Sequence, residues 1–416
     1  MKFQFIGNAS GIFHGSNGTK ILCDPWIKDG VFEGSWFHYP PLKTKLRDLE
    51  NVDAIYLSHI HPDHYDQRNF NFSKTKPIII LDEGPNFLKK NLISKGYKNI
   101  ISIKDNQTKK FNEFKLTLFK PFVGHIFEES LLGNLIDSSI VLQDQNFTAI
   151  NFNDNTPDKK ACHKLKKKFK KIDLALVNYN AAGPYPSCFD NLSIKEKKKE
   201  NVRILNRNFK HLCKVLPSLS PNAVLPFAGS YILAGKNYKK NDYLGTTTWE
   251  KCAQYLEKNL KIVCNVICMR ENQIYDLEKK ISTPSYIKLD MQHMKNYIKK
   301  IKHHPYDYEE NKKVDLEKLE RDILIASEKF NVILKKFKLN LKTNIYLKIG
   351  RKKKKIYMGS DKKKKLICEM DTRLLRRILD KKSHWNNAEI GAHINFKRYP
   401  NIMEPDVHTS LSFFHL

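Results

Sequence analysis

The sequence lacks any run of about 18 uncharged apolar residues, so no membrane-spanning helix is expected. Its first residues also lack the basic segment followed by an apolar stretch that is typical of a secretory signal peptide. We therefore expect a cytoplasmic protein with no membrane partner. The chain has 416 residues, of which 41% are hydrophobic, and this is enough for two or three domains with a buried core.

No cysteine motif is present. The eight cysteines are scattered, and the closest pair, Cys264 and Cys268, has neither zinc-ribbon nor redox spacing. Because no secretion signal is visible, we expect reduced and often buried thiols without a chemical role.

Acidic residues are few beside basic ones, with 44 against 74 and a formal charge of +30. A field of this sign attracts nucleic acid, anionic lipid or small anionic substrates. The lysine runs lack the interleaved aromatic residues and glycines of a base-stacking surface, so solvated faces are favoured over nucleic-acid binding. These runs are Lys166–Lys168, Lys197–Lys199, Lys352–Lys355 and Lys362–Lys365.

The first two thirds of the chain alternate short apolar strands with a few helices, which favours a sheet-containing domain over a helical bundle. Compact strands are predicted at Ala54–Leu57, Ile78–Leu81 and Thr148–Asn151, and amphipathic helices at Cys162–Lys171 and Glu196–Val215. We assign residues 1–275 to a catalytic domain and residues 276–416 to a smaller C-terminal α+β region that packs on it.

The C-terminal region is more charged and is predicted to mix helices with short strands. Its predicted elements are helices at Ile287–Lys300, Val314–Phe337 and Thr372–Leu379, a hairpin of Thr343–Ile349 and Lys355–Gly359, and strands at His393–Phe396 and Ser410–Phe414.

A cluster of metal-ligand residues follows the predicted strand Ala54–Leu57 directly, in the segment Ser58-His59-Ile60-His61-Pro62-Asp63-His64. If the backbone is extended there, His59 and His61 point the same way and can reach one metal ion. Asp63 and His64 then turn toward a neighbouring position. Imidazole nitrogens and a carboxylate suit zinc, iron or manganese. A chance cluster in a polar loop is the competing interpretation, and the density of ligands favours a metal site.

At this cluster the sequence resembles the metallo-β-lactamase superfamily, whose signature His-x-His-x-Asp-His is matched in every position. The resemblance implies an α+β fold, the αβ/βα sandwich of that family, with one or two divalent metal ions. It also implies that His59 and His61 bind one ion together with a later histidine, and that Asp63 and His64 bind the second.

The order of the strands extends the resemblance to two more residues. His125 follows the predicted strand Lys115–Phe119, where the third histidine of the family lies, and Asp154 follows Thr148–Asn151 and fits the bridging aspartate. A surface histidine and a turn aspartate are the competing interpretations. In a hydrolase of this family, Asp63 or Asp154 would be the catalytic residue that orients the attacking hydroxide.

One position departs from the family pattern. The last metal ligand of the family is a histidine after a strand, and Ala228 stands in its place, within Pro226-Phe227-Ala228-Gly229. Alanine cannot bind a metal ion, so the second metal position is short of one ligand. Hydrolysis by two metal ions is therefore in doubt.

Several short segments resemble a narrower family, the CMP-N-acetylneuraminate hydroxylases, which have a catalytic domain like the metallo-β-lactamases. The resemblance implies an iron enzyme that acts on a nucleotide sugar or another N-acylated anionic sugar. The two Cys-x-His pairs of that family's Rieske domain are absent here, so electrons are expected from a separate Rieske or ferredoxin-type partner. The shared segments are Asp24-Pro25-Trp26, Phe32 to Pro41, the histidine cluster, Ala181-Ala182-Gly183, Tyr185-Pro186, Pro226 to Gly229, Trp385-Asn386-Asn387 and Glu389-Ile390-Gly391.

Three functions remain open at this point: a monooxygenase-like metalloenzyme, a metal-dependent hydrolase acting on an ester, amide, lactone or phosphodiester, and, ranked last, a nuclease or nucleic-acid-binding protein. The cofactor is one or two ions of iron or zinc. The aromatic residues Trp26, Trp36, Phe37 and Tyr39 either line a substrate pocket or belong to the core. The segment from Trp385 to Gly391 either closes over the site or, as we favour, simply packs between domains.

Overall fold

The computed structural model describes residues 1–84, 86–122, 137–310 and 313–416 as a series of strands and helices. The strands are β1 (Lys2–Gly7), β2 (Ser10–His14), β3 (Lys20–Cys23), β4 (Trp36–Phe37), β5 (Ala54–Tyr56), β6 (Ile78–Leu81), β7 (Ile100–Ile103), β8 (Thr108–Phe111), β9 (Phe114–Phe119), β10 (Ser139–Gln143), β11 (Thr148–Asn151), β12 (Leu174–Asn178), β13 (Ala223–Phe227), β14 (Ile232–Leu233), β15 (Asn265–Val266), β16 (Ile274–Asp276), β17 (Ile281–Thr283), β18 (Asn344–Ile349), β19 (Lys352–Tyr357), β20 (Lys365–Glu369) and β21 (Asn395–Tyr399). The helices are α1 (Val31–Gly34), α2 (Phe87–Ser94), α3 (Lys159–Phe169), α4 (Ile194–Leu219), α5 (Trp249–Asn259), α6 (Met291–Ile301), α7 (Leu316–Lys336), α8 (Thr372–Leu379), α9 (Trp385–Ile390) and α10 (Pro405–Leu411). Short 3₁₀ helices cover Leu46–Leu49 and Gly235–Tyr243.

The strands form two large sheets. The first has the order β17-β16-β1-β2-β3-β5-β6-β7, and the second has the order β15-β13-β12-β11-β10-β9-β8. Strands β3, β5, β6 and β7 run parallel, as do β11, β12, β13 and β15, whereas the other pairs in both sheets are antiparallel. Smaller sheets pair β14 with β4 and join β19-β18-β20-β21.

The side chains of β6 show how the layers are built. Ile79 and Leu81 pack between the two sheets, whereas Ile78 and Ile80 pack on the opposite face together with residues of α2. A strand that is covered on both faces has a continuous apolar sequence, as Ile78–Leu81 does. The predicted strands at Ala54–Leu57, Ile78–Leu81 and Thr148–Asn151 are therefore confirmed.

Helices cover the outer face of the second sheet. Leu165 of α3, Phe209 of α4 and Leu256 of α5 pack on the apolar residues of that face. The layers then follow as helix, sheet, sheet and helix. This arrangement confirms the α+β class and the αβ/βα sandwich of the metallo-β-lactamase fold expected from the sequence.

The basic faces of α3 and α4 mostly point to solvent, as expected for their lysine runs, but one lysine is an exception. Lys197 is buried, and its ammonium donates to the carbonyl of Ser187 at 3.0 Å and lies 3.7 Å from Asp190. Within Lys197–Lys199, the first residue therefore binds the protein itself, because the loop before α4 folds over it.

The C-terminal residues form their own apolar cluster, which also includes Trp26, Phe32 and Trp36 from the N-terminal part. The predicted helices α6, α7 and α8 and the hairpin of β18 and β19 are present. The expected strand at Ser410–Phe414 is wrong, because this stretch begins inside α10. Leu411 and Phe414 are buried in the C-terminal cluster, and so short an apolar run does not distinguish strand from helix.

The division of the chain at residue 275 stays a prediction. Strands β16 and β17, which lie at and just after this position, extend the first sheet by pairing with β1 and with each other. Among the described residues, no helix is both long and apolar enough to span a bilayer.

Candidate metal centre

The histidine cluster lies in the loop that follows β5, at the edge of the first sheet where the parallel strands end. Asp24 follows the neighbouring strand β3 and accepts a hydrogen bond from the backbone N–H of Ser58 at 2.8 Å. The chain then turns, with the N–H of His64 donating to the carbonyl of His61 at 3.0 Å. This turn brings His61, Asp63 and His64 to one side of the loop. His59, Asp63 and His64 are buried, and His61 is half-buried.

Two groups of side chains in the described residues have ligand atoms close enough to share a metal ion, all within 4.8 Å of one another. The first consists of His59, His61 and Asp137. Here Nε2 of His59 lies 2.9 Å from Nδ1 of His61 and 3.5 Å from Oδ1 of Asp137.

The second group consists of His59, His64 and Asp154. Oδ2 of Asp154 lies 3.5 Å from Nε2 of His64 and 3.9 Å from Nε2 of His59. Asp63 lies beside this group, with its Oδ2 at 3.4 Å from Nε2 of His64. His59 belongs to both groups, so the two candidate positions are neighbours.

Hydrogen bonds determine which ring nitrogen of each histidine faces the centre. The hydroxyl of Ser58 donates to Oδ2 of Asp24 at 2.8 Å, so its oxygen accepts from Nδ1–H of His59 at 2.9 Å. Nδ1 of His64 lies 3.0 Å from the same Asp24 carboxylate and donates to it. Nε2 of His59 and Nε2 of His64 are therefore the ring atoms that face the centre.

The buried Nε2 of His64 has no hydrogen-bond partner among the described residues. A buried polar atom without a partner costs free energy, and a cation between it and the adjacent carboxylates would remove that cost. Neutral imidazole nitrogens with carboxylate oxygens are the donors that iron, zinc and manganese take in proteins. The residues present thus fit one or two divalent ions.

The electrostatics of the site agree with a cation. Burial by itself lowers the pKa of His64, but the carboxylates around it, with Asp63 and Asp154 foremost, raise that pKa well above its ordinary value. Burial by itself raises the pKa of Asp154, but His64 and His59 outweigh it and hold that pKa below its ordinary range. The site therefore contains excess negative charge that either a proton or a metal ion can balance.

The two carboxylates are held by amide side chains. Asn178 donates to Oδ1 of Asp154 at 2.9 Å, and Asn8 donates to Oδ2 of Asp63 at 3.2 Å. Partners of this kind fix the orientation of metal ligands and tune their basicity.

Ala228 directly follows β13 and stands where the family pattern has a histidine. Its backbone N–H donates to the carbonyl of Asn8 at 3.2 Å, and the next N–H, that of Gly229, donates to Oδ1 of Asn8 at 2.8 Å. This segment is thus tied to the same Asn8 that holds Asp63. The neighbouring residue must be glycine, because at φ 155° a Cβ on Gly229 would lie 2.9 Å from Cβ of Asn180.

The structure brings together most of the predicted ligands, namely His59, His61, Asp63, His64 and Asp154. His125 lies outside the described residues. Asp137 was missed. It lies two residues before β10, and β10 runs antiparallel to β11, so the start of the one strand lies beside the end of the other and hence near Asp154. A carboxylate just before a buried strand was the available signal.

The C-terminal region also reaches the centre. Oδ1 of Asn386, at the start of α9, lies 2.9 Å from Nε2 of His61. The neighbouring Trp385 is buried in the C-terminal cluster. The segment from Trp385 to Gly391 therefore packs between regions and also contacts the site. The sequence analysis favoured packing alone.

A cleft of about 240 Å³ lies outside the ligand cluster. It is lined by Tyr39, Ser230, Tyr231, Thr247 and Trp249, among others. Burial foremost, and then the carboxylate of Asp63, raise the pKa of the Tyr231 phenol. Of the four aromatic residues weighed in the sequence, Tyr39 lines the cleft.

The other three belong to buried packing. Trp26 and Trp36 lie in the C-terminal cluster, and Trp36 stacks on Tyr231 with ring centroids 3.4 Å apart. Phe37 packs in the cluster outside the second sheet.

No protein-family model matches the chain. It is 27% identical over 233 residues to a protein of Mycolicibacterium smegmatis and 26% identical over 234 residues to one of Mycobacterium tuberculosis, both provisionally named as Rieske 2Fe-2S iron-sulfur proteins. The matched part is 55% of this chain in each case, and 43% and 44% of the relatives. The chain therefore spans less than half the length of the curated relatives that it matches.

Solved structures with a similar arrangement include the diiron β-hydroxylase CmlA from Streptomyces venezuelae, with 13% identity, a TM-score of 0.44 and coverage of 65% of this chain and 53% of that one. An isothiocyanate hydrolase from Delia radicum gut bacteria has 18% identity, a TM-score of 0.44 and coverage of 66% and 98%. The metallo-β-lactamase fold protein YhfI from Bacillus subtilis has 12% identity, a TM-score of 0.40 and coverage of 66% and 99%.

Proposed function

We propose that the protein is a metalloenzyme that holds one or two ions of iron or zinc between the loop after β5 and the carboxylates of Asp137 and Asp154. The observation that carries this proposal is the buried Nε2 of His64, which has no hydrogen-bond partner among the described residues and faces Asp63 and Asp154. A metal ion bound there would polarise a substrate oxygen or activate water or dioxygen.

The residues of the chain have distinct roles in this proposal. The three histidines hold the metal as neutral imidazoles. Asp154 and Asp63, each fixed at one oxygen by an asparagine, orient a water molecule or accept a proton from the substrate. His125 is kept as a proposed further ligand from the sequence pattern.

For the reaction, we propose hydroxylation of an N-acylated anionic sugar or a nucleotide sugar. In this reaction a C–H bond of the acyl group is replaced by C–OH, one atom of dioxygen enters the product, and the other leaves as water with two protons and two electrons. An iron–sulfur protein would supply the electrons. The order of shared segments with the hydroxylase family supports this proposal, as do matched relatives named after a 2Fe-2S centre.

The cleft lined by Tyr39 and Tyr231 agrees with a sugar substrate. Ser230, Thr246 and Thr247 offer neutral hydrogen-bonding groups for hydroxyls, and the rings of Tyr39 and Trp249 offer flat apolar surface. The cleft also has one positive charge, on Lys251, and one negative charge, on Asp242. Such a mixture of few charges and several neutral polar groups suits a carbohydrate better than a polyanion.

The test uses protein purified without air, loaded with iron(II) and supplied with reduced ferredoxin and isotopically labelled dioxygen. We expect labelled oxygen in the product from a panel of N-acylated sugars and their nucleotide derivatives. His64→Ala should abolish the incorporation, whereas His163→Ala, on the exposed face of α3, should not change it. Absence of label from every substrate, with iron bound, would exclude the hydroxylase.

Hydrolysis is the second candidate, favoured by the fixed carboxylate of Asp154 beside an unpartnered imidazole nitrogen, since this pair can orient a water molecule for attack. It requires neither dioxygen nor an electron donor. Turnover of an ester, amide, lactone or phosphodiester by the zinc-loaded protein without air would establish it, and an inactive zinc form would rule it out.

A further inference from the structure

We propose that Asn386, in the C-terminal helix α9, is a positioning residue of the metal centre that fixes His61 in the tautomer needed to bind metal through Nδ1. This inference rests on the proposed metal site and adds a residue to it from a distant part of the chain. Asn386 and His61 are separated by 325 positions in the sequence.

The contact itself determines the tautomer. Oδ1 of Asn386 is an amide oxygen that can only accept, so Nε2 of His61, at 2.9 Å, must donate to it. The second ring nitrogen, Nδ1, then carries a lone pair. That atom lies 2.9 Å from Nε2 of His59 and belongs to the group of ligand atoms that includes Asp137.

The same logic operates at the other two histidines, but with local partners. His59 donates to Ser58 and His64 donates to Asp24, both of which lie at the end of strands β3 and β5. His61 is half-buried, and its partner comes from the C-terminal region instead. With these assignments, Nε2 of His59, Nδ1 of His61 and Nε2 of His64 all face the centre, and the first two atoms lie 2.9 Å apart.

Helix α9 is held in place independently of His61. Trp385 is buried, and its indole N–H donates to the carboxylate of Glu389 at 2.9 Å, which also lies 3.0 Å from Nδ1 of His408. At the other end of the helix, the indole N–H of Trp36 donates to the carbonyl of Ile390 at 3.2 Å. The position of Asn386 is therefore set by packing of the C-terminal region, as a partner that orients a ligand requires.

The experiment compares Asn386→Leu, which removes the acceptor at similar volume, with Asn386→Asp, which keeps an acceptor at the same atom. Asn387→Ala is the matched control, because it removes a neighbouring amide of the same helix. Affinities for zinc and for iron(II) are measured by competition with a chelator. We expect Asn386→Leu to weaken both by about 10- to 100-fold, and Asn386→Asp and the control to stay within a few-fold of the wild type.

A second readout is independent of metal. Nuclear magnetic resonance of isotope-labelled histidine distinguishes protonated from bare ring nitrogens, and in metal-free wild type we expect His61 to carry its proton on Nε2. In Asn386→Leu we expect a mixture of the two tautomers, with thermal unfolding unchanged or lowered only slightly.

Outcomes separate this inference from the proposed function. Equal metal affinity of Asn386→Leu and wild type, or a His61 proton on Nδ1, would overturn the role of Asn386 while leaving the metal site intact. Failure of the wild type to bind either metal would overturn the metal site, and the tautomer measurement would still decide whether Asn386 orients His61.

Discussion

Each histidine of the centre has one ring nitrogen committed to a hydrogen bond and the other directed toward the ligand atoms of its neighbours. For His59 and His64 the committed atom is Nδ1, and for His61 it is Nε2. This alternation lets residues two positions apart on one loop direct lone pairs to the same point. The chemistry of the site therefore depends on residues that bind no metal.

Asp137 provides a test of the first ligand group at this scale. Asp137→Asn keeps the volume of the side chain but removes its negative charge, which lies 3.5 Å from Nε2 of His59. We expect the affinity for zinc or iron(II) to fall by at least roughly tenfold, as for the loss of a partner of a metal site. Isothermal titration or chelator competition measures the change.

The matched control for Asp137→Asn is Asp105→Asn, since Asp105 lies 3.9 Å from Lys120 at the surface. Wild-type affinity in Asp137→Asn would mean that the carboxylate does not bind the ion. Metal-free unfolding temperatures of both variants should match the wild type.

His393 gives a prediction about acid stability. It is buried, Nε2 donates to the carbonyl of Phe32 at 2.8 Å, and Nδ1 faces the hydroxyl of Tyr308 at 3.2 Å. Burial foremost lowers the pKa of His393 from 6.5 to about 3, so the unfolded chain binds this proton first as the pH falls. The stabilisation is complete above the unfolded pKa of 6.5 and is lost toward the folded pKa of about 3.

The variant His393→Gln keeps a donor for the Phe32 carbonyl but cannot titrate. Between these two pKa values we expect the wild type to lose stability relative to the variant by roughly 1.4 kcal/mol per pH unit. Urea unfolding at a series of pH values measures this slope. Parallel pH dependence of the two proteins would show that His393 is protonated at the same pH in both states.

At the scale of elements, the loops that follow β3, β5, β11 and β13 form the centre. The first three place Asp24, the histidine cluster and Asp154 at one edge, and the segment after β13 is linked to them through Asn8. Parallel strands end on the same edge of their sheet, which explains why residues distant in sequence meet there.

Substitution of Gly229 tests whether the backbone at this edge of the sheet can shift. Gly229→Ala would bring a Cβ to 2.9 Å from Cβ of Asn180, whereas Gly183→Ala, at a nearly equal φ of 159°, meets nothing within 4 Å. Both variants place an alanine at the same strained φ, but only Gly229→Ala also brings its Cβ into a steric clash with Asn180. We expect Gly229→Ala to lower the free energy of unfolding by about 1–3 kcal/mol more than Gly183→Ala.

Denaturant unfolding of both glycine variants measures this difference in the free energy of unfolding. Metal affinity should also fall in Gly229→Ala, because the displaced backbone pulls on Asn8 and hence on Asp63. Equal stability of the two variants would mean that the segment after β13 shifts freely.

The elements also show what the sequence can and cannot predict. The candidate ligands in the loop after β5 are contiguous, so their spacing alone predicts them. Asp137 has only the weak local signal of a carboxylate before a buried strand, and its place near Asp154 depends on the antiparallel pairing of β10 with β11. Asn386 depends on how α9 docks, which no local pattern encodes. The tail was misassigned for a related reason, because Ser410–Phe414 is too short for its period to be measured.

At the scale of the whole molecule, the excess of positive charge and the metal centre are separate features. Most of the lysines lie on outer faces, as in the runs of α3 and β19, whereas the centre itself is rich in carboxylates. The apolar cluster of the C-terminal region includes Trp26, Phe32 and Trp36, and Asn386 of the same region lies 2.9 Å from His61. Loss of the packing of the C-terminal region would therefore change the orientation of the His61 ring.

An anomalous-scattering map from crystals grown with iron(II) or zinc would locate the metal ion in the protein. We expect a metal peak within bonding distance of Nε2 of His59, with further bonds to His61 and Asp137 or to His64 and Asp154. A peak bonded to other residues, or no peak here at saturating metal, would contradict the proposed metal site.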